Sequence, residues 1–107
     1  MERFIVFNDL EYYEDMSYEE VKEVLSIIPK DELSSIIVAK QLSLKYFGFN
    51  DVKKKEVIVN YDTDTMTIDG AEEKLDLNKV ADNTSYTIVK TIGHPTPEGE
   101  CLDEYLV

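Results

Sequence analysis

The stretch Glu56-Val-Ile-Val-Asn-Tyr-Asp-Thr-Asp-Thr-Met-Thr-Ile-Asp-Gly70 decides the fold class, because its apolar residues recur at every second position. Val57, Val59 and Tyr61 share one face of an extended segment, and Met66 and Ile68 share one face of the next, the period of strands half-buried in a sheet. Asp62-Thr63-Asp64 reads as the turn between them. Asp69-Gly70 supplies a two-residue hairpin signal, since both central positions of a type I′ turn need positive φ, which glycine adopts freely and aspartate tolerates.

C-terminal to this hairpin, Ala71 to Val80 reads either as a strand through Leu75 and Leu77 or as a short helix. Tyr86, Ile88 and Ile92 then alternate with Thr87, Val89 and Thr91 in a last strand that stops at Gly93. His94-Pro-Thr-Pro97 is a rigid break, because each proline fixes φ and lacks a donor N–H. Beyond it Cys101, Leu102, Tyr105 and Leu106 fall at helical spacing among Glu98, Glu100, Asp103 and Glu104, so residues 94–107 read as a docked helix or as a mobile acidic tail.

N-terminal to the hairpin the period is helical. Phe4-Ile-Val-Phe7 is a short apolar run bounded by Asn8-Asp9, as expected of a buried strand, and the acidic, tyrosine-rich segment from Asn8 to Met16 reads as a surface loop. Ser17-Tyr-Glu-Glu20 is a capping box, in which hydroxyl and carboxylate each satisfy the other residue's backbone N–H. Val21, Val24, Leu25 and Ile28 follow on one face with Tyr18 at its margin, opposite Glu19, Lys22, Glu23 and Ser26, until Pro29 ends the helix.

A second helix is expected from Asp31 to Phe47, closed by Gly48 as a left-handed C-terminal residue. It carries two apolar stripes, Leu33, Ile36, Ile37, Leu44 and Phe47 on one side and Val38, Ala39, Leu42 and Tyr46 on the other, as a helix buried between layers would. The whole reads as one α+β domain over residues 1–107, order β-α-α-β-β-β-β, with two helices packed on one face of a mainly antiparallel sheet of four to five strands.

Charge narrows the function. The chain carries 23 acidic and 11 basic side chains, a net −12, distributed as −7 over residues 1–35, +3 over 36–60 and −8 over 61–107. Such a field repels free nucleic acid and anionic lipid and favours basic proteins as partners. The N-terminal apolar run falls short of a signal-peptide core of about 7–15 residues, and no stretch reaches the roughly 20 apolar residues of a membrane span. With one cysteine, Cys101, no intramolecular disulfide forms; a soluble, cytoplasmic protein is the expectation.

The catalytic repertoire is poor. Asn60-Tyr-Asp-Thr-Asp64 has the alternating oxygens of a calcium loop, but the glycine and glutamate required at its sixth and twelfth positions are Thr65 and Ala71. His94 and Cys101 are single residues, too few for a structural zinc site, and the carboxylates around Cys101 oppose a thiolate nucleophile. The four glycines lie too far apart for a phosphate-cradling loop. Lys53-Lys54-Lys55 reads as a solvated strand edge guarded against aggregation. No enzyme activity, metal or cofactor is therefore expected.

What remains is the segment where Asp9, Glu11, Glu14, Asp15, Glu19 and Glu23 interleave with Tyr12, Tyr13 and Tyr18. Spaced carboxylates approximate a phosphate backbone, and tyrosines add apolar area and a face for arginine. These nine residues are the expected partner-binding surface of a non-enzymatic, stoichiometric inhibitor that occupies the basic nucleic-acid site of a nuclease, restriction or RNA-guided effector protein. The competing expectation is a structural or regulatory subunit that homodimerises or joins a complex through the Val38, Ala39, Leu42, Tyr46 helix face.

Overall fold

The computed structural model describes residues 2–80 and 83–95. Its elements are β1 (Phe4–Phe7), β2 (Tyr12–Met16), α1 (Tyr18–Ile27), β3 (Ile36–Lys40), α2 (Gln41–Phe47), β4 (Lys53–Asn60), β5 (Thr65–Ile68), β6 (Ala71–Lys74) and β7 (Thr84–Ile92), with 3₁₀ turns at Lys30–Glu32 and Leu77–Lys79. The strands form one seven-stranded sheet in the order β2-β1-β3-β7-β4-β5-β6. All neighbours are antiparallel except β4 and β7, which run parallel. The α+β class holds, but the sheet is larger than expected and mixed.

The local signals are realised where they were strong. The Ser17 hydroxyl accepts from the Glu20 N–H at 3.2 Å and the Glu20 carboxylate accepts from the Ser17 N–H at 3.0 Å. These two bonds satisfy donors that a helix N-terminus leaves unpaired. They also hold the Glu20 carboxyl below its usual range, with Arg3 reinforcing the shift. Val21, Val24, Leu25 and Ile28 are buried, and Ile28 is already extended ahead of Pro29. Ser26, expected on the solvent side, is buried as well, its hydroxyl donating to the Glu23 carbonyl. At the hairpin, Asp69 and Gly70 have φ of 53° and 82°, and β5 pairs with β6 in the register Ile68 to Ala71. The 71–80 segment matches neither alternative in full: the strand ends at Lys74, before Leu75 and Leu77, and a three-residue 3₁₀ turn follows, capped by Asp76, whose carboxylate accepts from the Asn78 N–H.

Two elements are corrected. The expected 31–47 helix is broken: residues 30–32 form a 3₁₀ turn, Leu33 is fully buried below the sheet, and Ile36 to Lys40 is strand β3. Three of the first four residues of that run are β-branched, and Ile36 and Val38 point to one face while Ile37 and Ala39 point to the other. A strand buried on both faces looks apolar all round, the property that suggested a two-sided helix. The stripe of Val38, Ala39, Leu42 and Tyr46 is thereby dissolved: the first two are buried sheet residues, and Leu42 and Tyr46 lie exposed on α2 beside the exposed Phe47. The expected loop from Asn8 to Met16 is also corrected, to a tight turn closed by the Asn8 side chain and then edge strand β2.

The inner face of the sheet holds the core. Phe4, Val6, Ile36, Val38, Tyr86, Ile88, Val57, Val59 and Met66 line it from strand to strand, covered by α1, Leu33, Leu77 and Val80. The helices do not share that face. None of the buried core residues comes from α2, and Phe49, just beyond it, packs edge-on against Phe7 on the opposite, outer face at 5.6 Å between ring centroids. Along β7 the alternation is interrupted by a bulge: Val57 pairs with Ile88 but Ile58 pairs with Lys90, leaving Val89 extra. Ile92, expected beside Ile88, is consequently turned to the exposed face.

Candidate functional site

The strand order converts the linear charge pattern into a spatial one. Lys40, Lys53, Lys54, Lys55 and Lys90 all lie on β3, β4 and β7 at the centre of the sheet, whereas Glu14 and Asp15 stand on edge β2 and Glu72 and Glu73 on edge β6. Six inter-strand steps of ~4.8 Å separate the two edges by roughly 29 Å. The β2 edge, with Glu19 and Glu23 on α1, is the more acidic of the two, because β6 also carries Lys74 and its Glu73 lies 3.6 Å from Lys79, while Glu56 offsets part of the central positive charge.

Of the expected partner-binding residues, Asp9, Tyr12, Glu14, Asp15, Glu19 and Glu23 are exposed, Glu11 is half-exposed, and Tyr13 and Tyr18 are half-buried against the core. They wrap round the sheet edge instead of forming one flat patch. Tyr12 and Glu14 belong to the outer face, where the Tyr12 ring lies 6.0 Å from Phe7 and its hydroxyl is 3.5 Å from the Glu14 carboxylate. Tyr13 turns to the inner face and donates to Glu11 at 3.1 Å, a bond that raises the phenol's pKa. A tyrosine hydroxyl orients a carboxylate without bringing a positive charge to it. Asp15 and Glu19 are partly offset by Arg3 and Lys22, each 3.5 Å away and exposed, contacts of little energetic weight.

A feature invisible in the sequence lies on the inner side. A cleft of about 620 Å³ opens between α1 and the far end of the sheet, lined among others by Tyr18, Lys22, Tyr61, Lys74, Asp76 and His94. Its residues run from Tyr18 to Pro95 in the chain, so no local motif announces it. The Tyr18 phenol is pushed up to about 12, first by burial and then by the Asp76 charge. Tyr61 is raised further, chiefly by burial, and its hydroxyl is buried with no hydrogen-bond partner among the described residues. Both ring nitrogens of His94 lie 2.8 Å from backbone carbonyls, Nε2 from Ile28 and Nδ1 from Pro95, which ties the end of β7 to the end of α1. Cys101 and the rest of residues 96–107, part of the segment read as a docked helix or a mobile acidic tail, fall outside the described residues.

These tyrosines set an alkaline limit. In the unfolded chain a phenol ionises near 10.0, whereas folded Tyr18 keeps its proton to about 12. The stabilisation is complete below pH 10 and is lost as pH rises toward 12, because there the unfolded chain releases protons that the folded one retains. Urea midpoints should therefore fall across that window. Tyr61→Phe should flatten the fall while leaving stability at neutral pH unchanged or raised by up to about 1 kcal/mol, since it removes an unpartnered buried hydroxyl. A midpoint independent of pH in this window, or a large loss at neutral pH for Tyr61→Phe, would contradict this account.

The Asn60-Asp64 segment is a turn whose Asn60 carboxamide oxygen accepts from the Asp62 and Thr63 N–H groups at 3.0 and 3.1 Å. No group of three or more histidine, cysteine, aspartate or glutamate side chains is arranged to hold a metal ion among the described residues, and no helix there is long and apolar enough to cross a membrane. No protein-family model, no curated protein and no solved structure matches this chain.

Proposed function

We propose that this protein is a non-enzymatic, stoichiometric inhibitor whose acidic edge, built from β2 and the outer side of α1, occupies the basic nucleic-acid site of a larger protein. The observation that carries this reading is the pairing of Glu11 and Glu14 with tyrosine hydroxyls rather than with cations, which leaves oriented, un-neutralised carboxylates on an exposed edge beside the exposed ring of Tyr12. Electrostatic steering of a basic partner raises association rates by roughly 10- to 1,000-fold and weakens as salt screens it. The class of target, a nuclease, restriction or RNA-guided effector protein, follows from the chemistry of a site made to hold phosphates.

The test is charge reversal at Glu11, Glu14, Asp15 and Glu19 to lysine, with Glu72 and Glu73 reversed on the opposite edge as the control. For a basic nucleic-acid-binding partner, the first set is expected to lower affinity about tenfold or more, mainly through the association rate, and the control to change it little. The partner's own nucleic acid should compete. Equal effects of the two sets, or no competition, would refute the proposal.

A further inference from the structure

We infer that β2 is a docking edge to which an extended, basic segment of the partner adds as an outer strand, with an apolar side chain resting on the exposed ring of Tyr12. The inference rests on the proposed function and names how the contact is made. Among the described residues β2 is paired on one side only, by β1. Edge strands are ordinarily blunted by lysine, proline or a covering segment, because their unpaired N–H and C=O groups accept any incoming strand. Tyr12–Met16 contains neither lysine nor proline. The strand carries Glu14 and Asp15 and is bulged between Tyr13 and Met16, where Asp15 takes positive φ and its N–H donates to the Gln41 side chain at 2.6 Å, so its protection lies at that end. That leaves Tyr12, Tyr13 and Glu14 as the open platform.

The outer face beside this platform is prepared for apolar contact. Tyr12 is 62% exposed and packs on Phe7 at 6.0 Å between centroids, while Phe49, 5.6 Å from Phe7, is already covered by the Lys54 ammonium of β4 at 4.6 Å. An added strand presents alternate residues to each face, so those on the outer face would meet the Tyr12 ring while the others point to the opposite side. Charge selects the occupant. A second copy of β2 would set carboxylate against carboxylate, whereas arginine or lysine at the alternate positions facing inward meets Glu11 favourably. The same acids thus guard against self-pairing and attract a basic strand.

The experiment uses the full chain, isotopically labelled, and a synthetic peptide of alternating arginine and valine at low salt. The amides of Tyr12 to Glu14 that point away from β1 are expected to exchange at least tenfold more slowly in the complex. A peptide of equal charge with alternate backbone nitrogens methylated should bind at least tenfold more weakly, and Tyr12→Ala, at an exposed edge position, should weaken the unmodified peptide about tenfold. If both peptides bind alike and no β2 amide is protected, strand addition is wrong and the acidic-surface proposal stands. If neither peptide binds at low salt, both fail.

Discussion

Replacing Ile88 by alanine is expected to lower the unfolding free energy by about 4 kcal/mol, whereas Val89→Ala, one position along the same strand, should change it by about 0.5 kcal/mol or less. Ile88 is fully buried on the inner face. It pairs with Ile36 across the antiparallel β3–β7 junction and with Val57 across the parallel β7–β4 junction. Truncation removes three buried carbons where two strand pairs and the helical cover meet, and a close-packed core cannot collapse freely into the space. Val89 occupies the bulge and is 41% exposed, so little apolar surface returns to water when it is shortened. Against a typical total stability of about 5–15 kcal/mol, the first change removes a large fraction. Urea denaturation with a shared m-value decides it. Comparable losses for the two substitutions would mean that Val89 is packed in the core and that the bulge is misplaced.

Gly93→Ala should be the second large loss, about 2–4 kcal/mol, against about 1 kcal/mol for Gly70→Ala. Both glycines have positive φ, 78° and 82°, where an added Cβ is strained. The difference is their surroundings. A Cβ on Gly70 meets nothing within 4 Å, while one on Gly93 falls on the Asp62 carboxylate, with Cγ at 3.0 Å and the Asp62 N at 3.2 Å. That Asp62 sits in the β4–β5 turn held by Asn60, and the Tyr61 N–H donates to the Ile92 carbonyl at 2.7 Å. Backbone there cannot retreat without losing the end of the parallel β4–β7 pairing. Equal losses at the two glycines would show that the close approach of the two strand ends is absent.

The pattern of what the chain announces and what it conceals follows from the range of the interactions. Residues Ser17 to Pro29 specify α1 by themselves: the cap lies within four residues, the apolar face within three turns, and the proline stops the helix. Asp69-Gly70 specifies its hairpin for the same reason, since two positive φ values are a local requirement. The segregation of charge was likewise readable, and so was the exposed acidic run at the N-terminal end. Ile36 to Lys40 was not. A short run buried on both faces has no alternation to read, and its neighbours in sequence, Leu33 and Leu42, happened to complete a helical period.

The sequence by itself determined the α+β class, the extent of α1, the β5–β6 hairpin, the inward row of Val57, Val59, Met66 and Ile68, and the acidic character of the chain's ends. Tertiary structure alone decided that Tyr12–Met16 is an edge strand, that β7 inserts between β3 and β4, that Val89 bulges and turns Ile92 outward, and that Tyr18, Tyr61, Asp76 and His94 meet around one cleft. Each of these depends on backbone pairing or packing between residues far apart in the chain. Such pairing selects among conformations that the local sequence leaves nearly equal in free energy, because the hydrogen bonds and buried area that choose between them exist only once the partner strand is in place.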